Sequence, residues 1–421
     1  MDTITNRDDY PDEEELSASA LAFVRLQETY NLDATEISSG VIAGLKAWNS
    51  MSWDDCLSLG QQLYELGDDN RTQEWLREAF KKFSTKFTSD KESISILETI
   101  ANMTLDINDA QTTLNITETI LKVQPDHIAA QVAKEFLETL PKDFEISIDK
   151  PDYNPSVYIS PQDFRTYEAV CRDEIKRSPS EIKDLHCKYV TYNNPFLTLA
   201  PFKLELLSSD PLIVMYHNVL YDSEITHLLN KSIPHIKRST IGSATADQGS
   251  RSQVRTSHST FTTYEGDLAL KNLIQRVEDM TRQTIKGSEL IQVANYGMGG
   301  HYEPHYDCFG PNTTTYVGYE TEGDRISTGM FYASDLDLGG STAFPFLRMN
   351  VKPVKGTMVF WYNLHASGNK DFRSLHAGCP VIKGSKWIFN IWMRIKPQML
   401  YRKCELEDDT WKSKQFNRMR I

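Results

Sequence analysis

The chain has 421 residues, 40% hydrophobic and 24% charged, which is enough apolar material for packed cores and enough length for two or three domains. Its formal net charge of −13 argues against a nucleic-acid backbone as the main partner. No run of about 18 apolar residues occurs, so no membrane-spanning helix is expected.

The first residues, MDTITNRDDYPDEEEL, are acidic and polar and lack the basic end and apolar centre of a signal peptide. Residues 12–30 follow as an amphipathic helix with Leu16, Ala20, Phe23, Val24 and Leu26 near one face. From 35 to 140 the spacing is helical throughout, as in DDCLSLGQQLYELGD and TQEWLREAFKKF. Short helices in pairs, with a restart at Pro125-Asp126-His127, resemble tetratricopeptide repeats; a small helical bundle is the plainer alternative. Pro141, Pro151, Pro155 and Pro161 then mark an extended linker, 141–200, which holds a polar loop between Cys171 and Cys187.

From about 201 to 406 short β-rich runs dominate, among them LIVMYH, STFTTY, LIQVANY, STGMFYASDL, GTMVFWYN and KWIFNIWMRI. Helical inserts interrupt them near 222–233 and 266–286, and residues 407–421 form a tail. Many short strands with Gly- and Pro-rich turns predict a double-stranded β-helix, or jelly roll, with flanking helices and a core at 288–398. The fold class expected is α + β multidomain.

Within HYEPHYDCFG, His305 and Asp307 are two apart, so on a strand they share a face and could grip one ion. A bare H-x-D arises often by chance. His376, in RSLHAGCP, adds a third ligand, and Lys386 opens the next apolar strand. Two histidines and a carboxylate leave one side of a metal open, as non-haem Fe(II) oxygenases require. A zinc hydrolase could use the same three groups but has no need of the lysine. A lysine directed into a barrel needs an anion, and the far carboxylate of 2-oxoglutarate would supply it. His301 is four residues from His305, the wrong offset for a strand, and Gly299, Gly300 and Pro304 argue against a helix; it is assigned to the rim. Gly339, Gly340 and Pro345 read as turn residues.

IQVANYGMGGHYEPHYD, DLDLGGSTAFP, VKGTMVFWYN and SLHAGCPVIKGSKWIFNIW together closely resemble the catalytic region of collagen-type prolyl 4-hydroxylase α subunits. LQETYNLDATEISSG resembles the same family ahead of its peptide-substrate-binding domain, so residues 1–34 would be an acidic tail and the remnant of a dimerising helix. The resemblance implies Fe(II) on His305, Asp307 and His376, with Lys386 on the C5 carboxylate of 2-oxoglutarate. Tyr296 would add a hydroxyl there, and Thr328 another polar contact. It implies L-ascorbate as the reductant that rescues oxidised iron, and hydroxylation of C4 of peptidyl proline. A non-collagen proline-containing peptide, or a weakly active peptide-binding scaffold, are the alternatives.

It further implies protein disulfide isomerase as a β subunit in an α2β2 tetramer, and disulfides Cys171–Cys187 and Cys379–Cys404, each worth about 3 kcal/mol on the chain-entropy model. Disulfides imply an oxidising compartment, the endoplasmic reticulum lumen. Sequons at Asn70, Asn102, Asn115, Asn230 and Asn312 lean mildly the same way. The polar N-terminus then suggests a sequence that starts late.

Three departures from the family stand out. Arg394 occupies the position of a histidine that helps seat the C1 carboxylate of 2-oxoglutarate; as a cation it could still bind a carboxylate, but it cannot deliver a proton near neutral pH. Cys308 adjoins Asp307 where an aromatic is more usual, and reads as a small buried filler. Thr99, Asn102 and Phe136 stand where the family's groove has tyrosines, and no tyrosine occurs between Tyr64 and Tyr153. Since proline rings stack flat on aromatic faces, weak binding of polyproline is expected.

Overall fold

A computed structural model describes residues 13–42, 44–88, 90–139, 160–241, 250–251, 254–310 and 319–408. The chain divides into two units, Met1–Tyr153 and Asn154–Ile421.

The first unit is helical. Helices α1 (Glu13–Tyr30), α2 (Ala34–Ser39), α3 (Trp53–Glu65), α4 (Asp69–Ser84), α5 (Lys91–Asp106), α6 (Ala110–Val123) and α7 (Ile128–Thr139) follow one another with short turns. The starts are written in the sequence: Asp33 and Ser52 close capping boxes with Glu36 and Asp55, and Asp68, Asp90 and Asp109 each accept the backbone N–H three residues on. The α3–α4 and α5–α6 pairs pack through residues at helical spacing, with Leu63, Trp75, Leu76, Leu97, Ile100 and Ile116 fully buried. Trp75 donates its indole N–H to Gln27 Oε1 at 2.9 Å, which ties α4 to α1.

The second unit is built on two antiparallel sheets. The larger runs in the order Cys187–Val190, Phe202–Ser209, Leu212–His217, Met358–Tyr362, Arg325–Tyr332, Lys386–Arg394, Ile291–Tyr296, His258–Thr262, Lys237–Arg238. The smaller runs Tyr302–His305, His376–Gly378, Thr342–Phe344, Met349–Val351. Side chains alternate between the faces of each strand, and the two faces of the larger sheet close two separate cores. Phe331, Phe360, Phe389 and Ile391 pack outward against Leu228, Leu273, Val277 and Met280 of the helices Asp222–Ser232 and Lys271–Thr281. Ala294, Met330, Trp361 and Ile388 face inward on Phe344, Met349 and Val351 of the small sheet. This is the jelly-roll sandwich with flanking helices that the sequence implies.

Helix α8 (Pro161–Cys171) belongs to this unit and not to a linker. Tyr167 and Val170 are buried, and Asn350 of the small sheet donates to the Val170 carbonyl at 3.0 Å. That packing corrects the disulfide assignment. Cys171, the last residue of α8, is bonded to Cys379, which follows the His376–Gly378 strand, with Cα atoms 5.7 Å apart. Cys187 and Cys404 are free and exposed, so neither Cys171–Cys187 nor Cys379–Cys404 is formed. The short loops that the family resemblance implies lose to the docking of α8 on the small sheet. Gly340 is required by its turn: its φ is positive, and a Cβ there would lie 2.3 Å from Leu336 Cδ1.

Candidate active site

The site lies between the sheets at one end of the sandwich. Tyr302–His305 pairs antiparallel with His376–Gly378, and His305 and His376 are direct register partners, their rings 4.4 Å apart. Asp307 comes two residues after His305, just past the end of its strand. Ligand atoms of the three residues all lie within 4.8 Å of one another, with His305 Nε2 at 3.7 Å from Asp307 Oδ1 and His376 Nε2 at 3.6 Å from Asp307 Oδ2.

The chemistry of the donors fits a metal. His305 Nδ1 lies 2.7 Å from the Glu303 carbonyl and His376 Nδ1 lies 3.0 Å from the Ser374 carbonyl. A carbonyl only accepts, so each Nδ1 carries the proton and each Nε2 presents a lone pair to the same point. Burial, with His376 beside it, pushes the His305 imidazole down to about 3, so it stays neutral. Burial alone would raise the Asp307 carboxyl, but His376, His305 and Arg325 outweigh it and hold the group down at about 2. Two neutral imidazoles and a carboxylate are the donor set that a ferrous ion takes with open positions on one side.

Asp307 is fixed by neighbours that sequence reasoning missed. Its Oδ2 accepts from Thr328 Oγ1 at 2.7 Å and from Trp392 Nε1 at 3.0 Å. Thr328 accepts in turn from Asn363 Nδ2 at 3.0 Å, and Asn363 Oδ1 accepts from Trp361 Nε1 at 2.9 Å. Thr328 is therefore engaged with the metal carboxylate, where a cosubstrate contact was expected. The alternation Lys386, Ile388, Asn390, Trp392, Arg394 puts Trp392 on the inward face and could have found it. Asn363, outside any strand, leaves no such pattern.

Lys386 sits farther along the same strand face. It is 3% exposed, and among the described residues no carboxylate lies within ion-pairing distance of it. Its Nζ is 3.4 Å from Thr342 Oγ1 and 5.7 and 5.6 Å from the rings of Tyr296 and Tyr332. Burial alone pushes its amine down to about 7. Tyr296, directly opposite Lys386 in the pairing register, is also buried. A buried cation with only neutral company is a seat for an anion.

Two expectations end elsewhere, those for His301 and Arg394, while Cys308 is the buried filler that was expected. His301 is buried, not on a rim; its Nδ1 is 2.8 Å from Thr256 Oγ1 and it takes no part in the cluster. Arg394 is engaged with Glu289 and the Gly323 carbonyl. Cys308 packs in the outward core, and burial pushes its thiol up to about 12, which suits a filler and not a reactive thiolate.

Comparison with known proteins agrees with this geometry. Residues 1–44 match the family model of the prolyl 4-hydroxylase alpha-subunit N-terminal region, and 53–142 that of the prolyl 4-hydroxylase peptide-substrate-binding domain. Residues 291–394 match the 2OG-Fe(II) oxygenase superfamily. Prolyl 4-hydroxylase subunit alpha-2 of Caenorhabditis elegans is 35% identical over 403 residues, which covers 95% of this chain and 75% of that protein. Human prolyl 4-hydroxylase subunit alpha-1 is 32% identical over 412 residues, 95% and 77% of the two chains. Among solved structures, a viral collagen prolyl hydroxylase from Paramecium bursaria Chlorella virus-1 aligns with 43% of this chain and 95% of its own, at 27% identity and a TM-score of 0.33. The chain belongs to the prolyl 4-hydroxylase alpha-subunit family, within the 2OG-Fe(II) oxygenases.

Proposed function

We propose that this 2-oxoglutarate-dependent prolyl hydroxylase acts as a procollagen-type α subunit, hydroxylating C4 of peptidyl proline. His305, Asp307 and His376 hold Fe(II); Lys386 and the Tyr296 hydroxyl take the C5 carboxylate of 2-oxoglutarate. When bound, iron and cosubstrate together supply the oxygen activation that the side chains cannot. The protein's own share is positioning and dryness. The two carbonyl-anchored imidazoles fix their lone pairs, Thr328 and Trp392 hold the carboxylate, and the aromatic lining of Tyr302, Phe344 and Trp361 excludes water around His305 and His376.

The observation that carries the reading is the pairing of that ligand cluster with a buried, anionless lysine on one wall of the same sandwich. A hydrolytic metal site accounts for the first and leaves the second as an uncompensated cost. Work in the endoplasmic reticulum lumen, with protein disulfide isomerase as partner and L-ascorbate as reductant, completes the proposal; the Cys171–Cys379 disulfide supports the oxidising compartment.

A second reading, a non-collagen proline-containing substrate, draws on the helical unit, where Thr99 and Asn102 are exposed and polar. The test is the purified chain with its isomerase partner, Fe(II) and 2-oxoglutarate, offered a library of proline peptides and read by mass spectrometry. Gain of one oxygen on Pro-Pro-Gly repeats is expected. Gain only on other peptides selects the second reading; no gain on any, with iron bound, makes the chain a scaffold.

A further inference from the structure

Behind Asp307 lies a partly buried charge cluster that the oxygenase reading does not use. Glu289, just before the Ile291–Tyr296 strand, receives both Nε and Nη2 of Arg325, at 2.5 and 2.6 Å. Arg394, 4% exposed at the end of its strand, reaches the same carboxylate: its Nη2 is 2.9 Å from Glu289 Oε1, and its Nη1 donates to the Gly323 carbonyl at 2.8 Å. The ring of Phe309 lies 4.6 and 5.1 Å from the two guanidinium carbons.

The cluster reaches Asp307 by two routes, one through the Trp392 ring and one through the Asp307 backbone. The Arg325 guanidinium lies 3.8 Å from the centre of the Trp392 ring whose N–H donates to Asp307 Oδ2. Arg325 Nη1 also donates to the Asp307 backbone carbonyl at 3.3 Å. Planar guanidinium on indole is a stacked contact that fixes the ring plane, and so the direction of the N–H. Arg394 adds a second cation to Glu289, which holds that carboxylate between two forks and so holds Arg325 over the ring. With the Trp392 and Thr328 bonds both on Oδ2, Asp307 Oδ1 takes no hydrogen bond among the described residues and faces His305.

We propose that Arg394 is a positioning residue for the metal carboxylate, acting through Glu289, Arg325 and Trp392, and not a contact for the cosubstrate. The proposal rests on the assignment of His305, Asp307 and His376 as metal ligands. It separates two effects that a cosubstrate contact would couple in the opposite way: loss of Arg394 loosens metal binding and leaves cosubstrate affinity alone.

The test compares the full-length chain with Arg394→Met, Arg394→Lys and Glu289→Gln. Each is titrated with Co(II), read by the visible ligand-field bands of bound cobalt, and then with 2-oxoglutarate at saturating cobalt. Arg394→Met and Glu289→Gln are expected to weaken cobalt binding about tenfold and to alter the band pattern. Arg394→Lys, which keeps a charge on Glu289, recovers most of the affinity. The Arg394→Met, Glu289→Gln double variant is no weaker than either single variant, because both break one chain of contacts. Cosubstrate affinity changes less than twofold. Unchanged cobalt binding in both single variants, with or without a rise in the 2-oxoglutarate Kd, overturns the proposal. A parent chain that binds no cobalt overturns it together with the ligand assignment, whereas a parent that binds cobalt and 2-oxoglutarate normally leaves that assignment standing whatever the variants do.

Discussion

The two regions suited to hold a ligand are built in opposite ways. In the oxygenase unit, buried Asp307, Thr328, Asn363, Trp361 and Trp392 and partly buried Arg325 and Glu289 form one bonded network. Each member is fixed by the next, and the ligand atoms inherit that rigidity. In the helical unit the comparable positions are open to water: Thr99 and Asn102 on α5 are exposed, and Thr99 bonds only back to the Ser95 carbonyl. On α7, Ile128, Val132 and Phe136 are 76%, 62% and 55% exposed, four residues apart on one face. The contrast teaches that the chemical centre of this chain is closely specified while its recognition helices are not.

The sharpest way to break that contrast is Lys386→Met. If the lysine is an anion seat, the variant loses 2-oxoglutarate affinity by 3–5 kcal/mol on the scale of a broken buried ion pair, roughly a hundredfold or more. It also raises the thermal midpoint of the ligand-free protein, because the amine is driven far below its unfolded value near 10.5. A gain of about 2–4 kcal/mol at pH 7 is expected by denaturant unfolding, since removal of an unpaired buried cation relieves a cost. A variant that loses stability and keeps its cosubstrate would show that the lysine serves packing.

Next in size is the disulfide. Cys171 and Cys379 are 208 residues apart, so the chain-entropy model gives their bond about 5 kcal/mol, more than the roughly 3 kcal/mol of either short loop that the family resemblance implies. Cys379→Ser should lower the denaturant midpoint by about 2–5 kcal/mol in free energy, while Cys187→Ser and Cys404→Ser change little. Because Cys379 lies three residues past His376, metal affinity should fall in the first variant as well. Equal losses in all three single variants would restore the short-loop pairing.

The pH dependence is smaller and has a fixed sign. The groups about Lys386 Nζ are neutral: the Thr342 hydroxyl and the rings of Tyr296 and Tyr332, with the Tyr332 phenol pushed up by burial. The folded amine titrates near 7 and the unfolded one near 10.5, so between these values the unfolded chain binds more protons. Stability of the free protein therefore rises with pH across that window, and the cost is fully present below it. Cosubstrate affinity runs the other way, because the anion needs the charged amine: it should fall toward tenfold per pH unit above about 7. Calorimetry at pH 8 in buffers of different ionisation enthalpy should find close to one proton taken up per 2-oxoglutarate. No uptake would mean that the amine is already charged in the free protein.

What the sequence disclosed follows from period and length. The long strands Leu212–His217, Ile291–Tyr296 and Lys386–Arg394 were legible, as were both flanking helices, because their apolar runs are long enough to carry a pattern. The small sheet was not: Thr342–Phe344, Met349–Val351 and His376–Gly378 are three residues each, too short for any period. Yet it is this sheet that brings His305 opposite His376. The three residues that converge were legible as metal-binding types, two of them at a strand spacing, and Lys386 as a charge that begins an apolar strand. The Arg325–Glu289–Arg394 cluster was not, since its members come from three segments: Arg325 and Glu289 look like ordinary charges at strand ends, and Arg394 reads as a cosubstrate contact. Cys171–Cys379 was missed because the expected pairing comes from the family resemblance, and nothing in the sequence shows that α8 docks beside the His376–Gly378 strand.

The smallest effect is in the helical unit, and it sharpens the comparison most. Poly(L-proline) titrated into the full-length chain should bind at best weakly, with a Kd well above micromolar, because its flat rings find no row of tyrosines. Phe136→Ala should remove most of whatever heat remains, Phe136 being the exposed aromatic on α7. The double variant Thr99→Tyr, Asn102→Tyr adds two rings one helical turn apart on α5. At about 0.5–1.5 kcal/mol per aromatic contact it should improve affinity several-fold, and it should leave metal binding unchanged. Micromolar affinity in the parent chain would contradict the reading and show that recognition here does not depend on a tyrosine row. If the double variant gains nothing, Thr99 and Asn102 do not line the binding face, and the search moves to the Ile128–Val132–Phe136 stripe of α7.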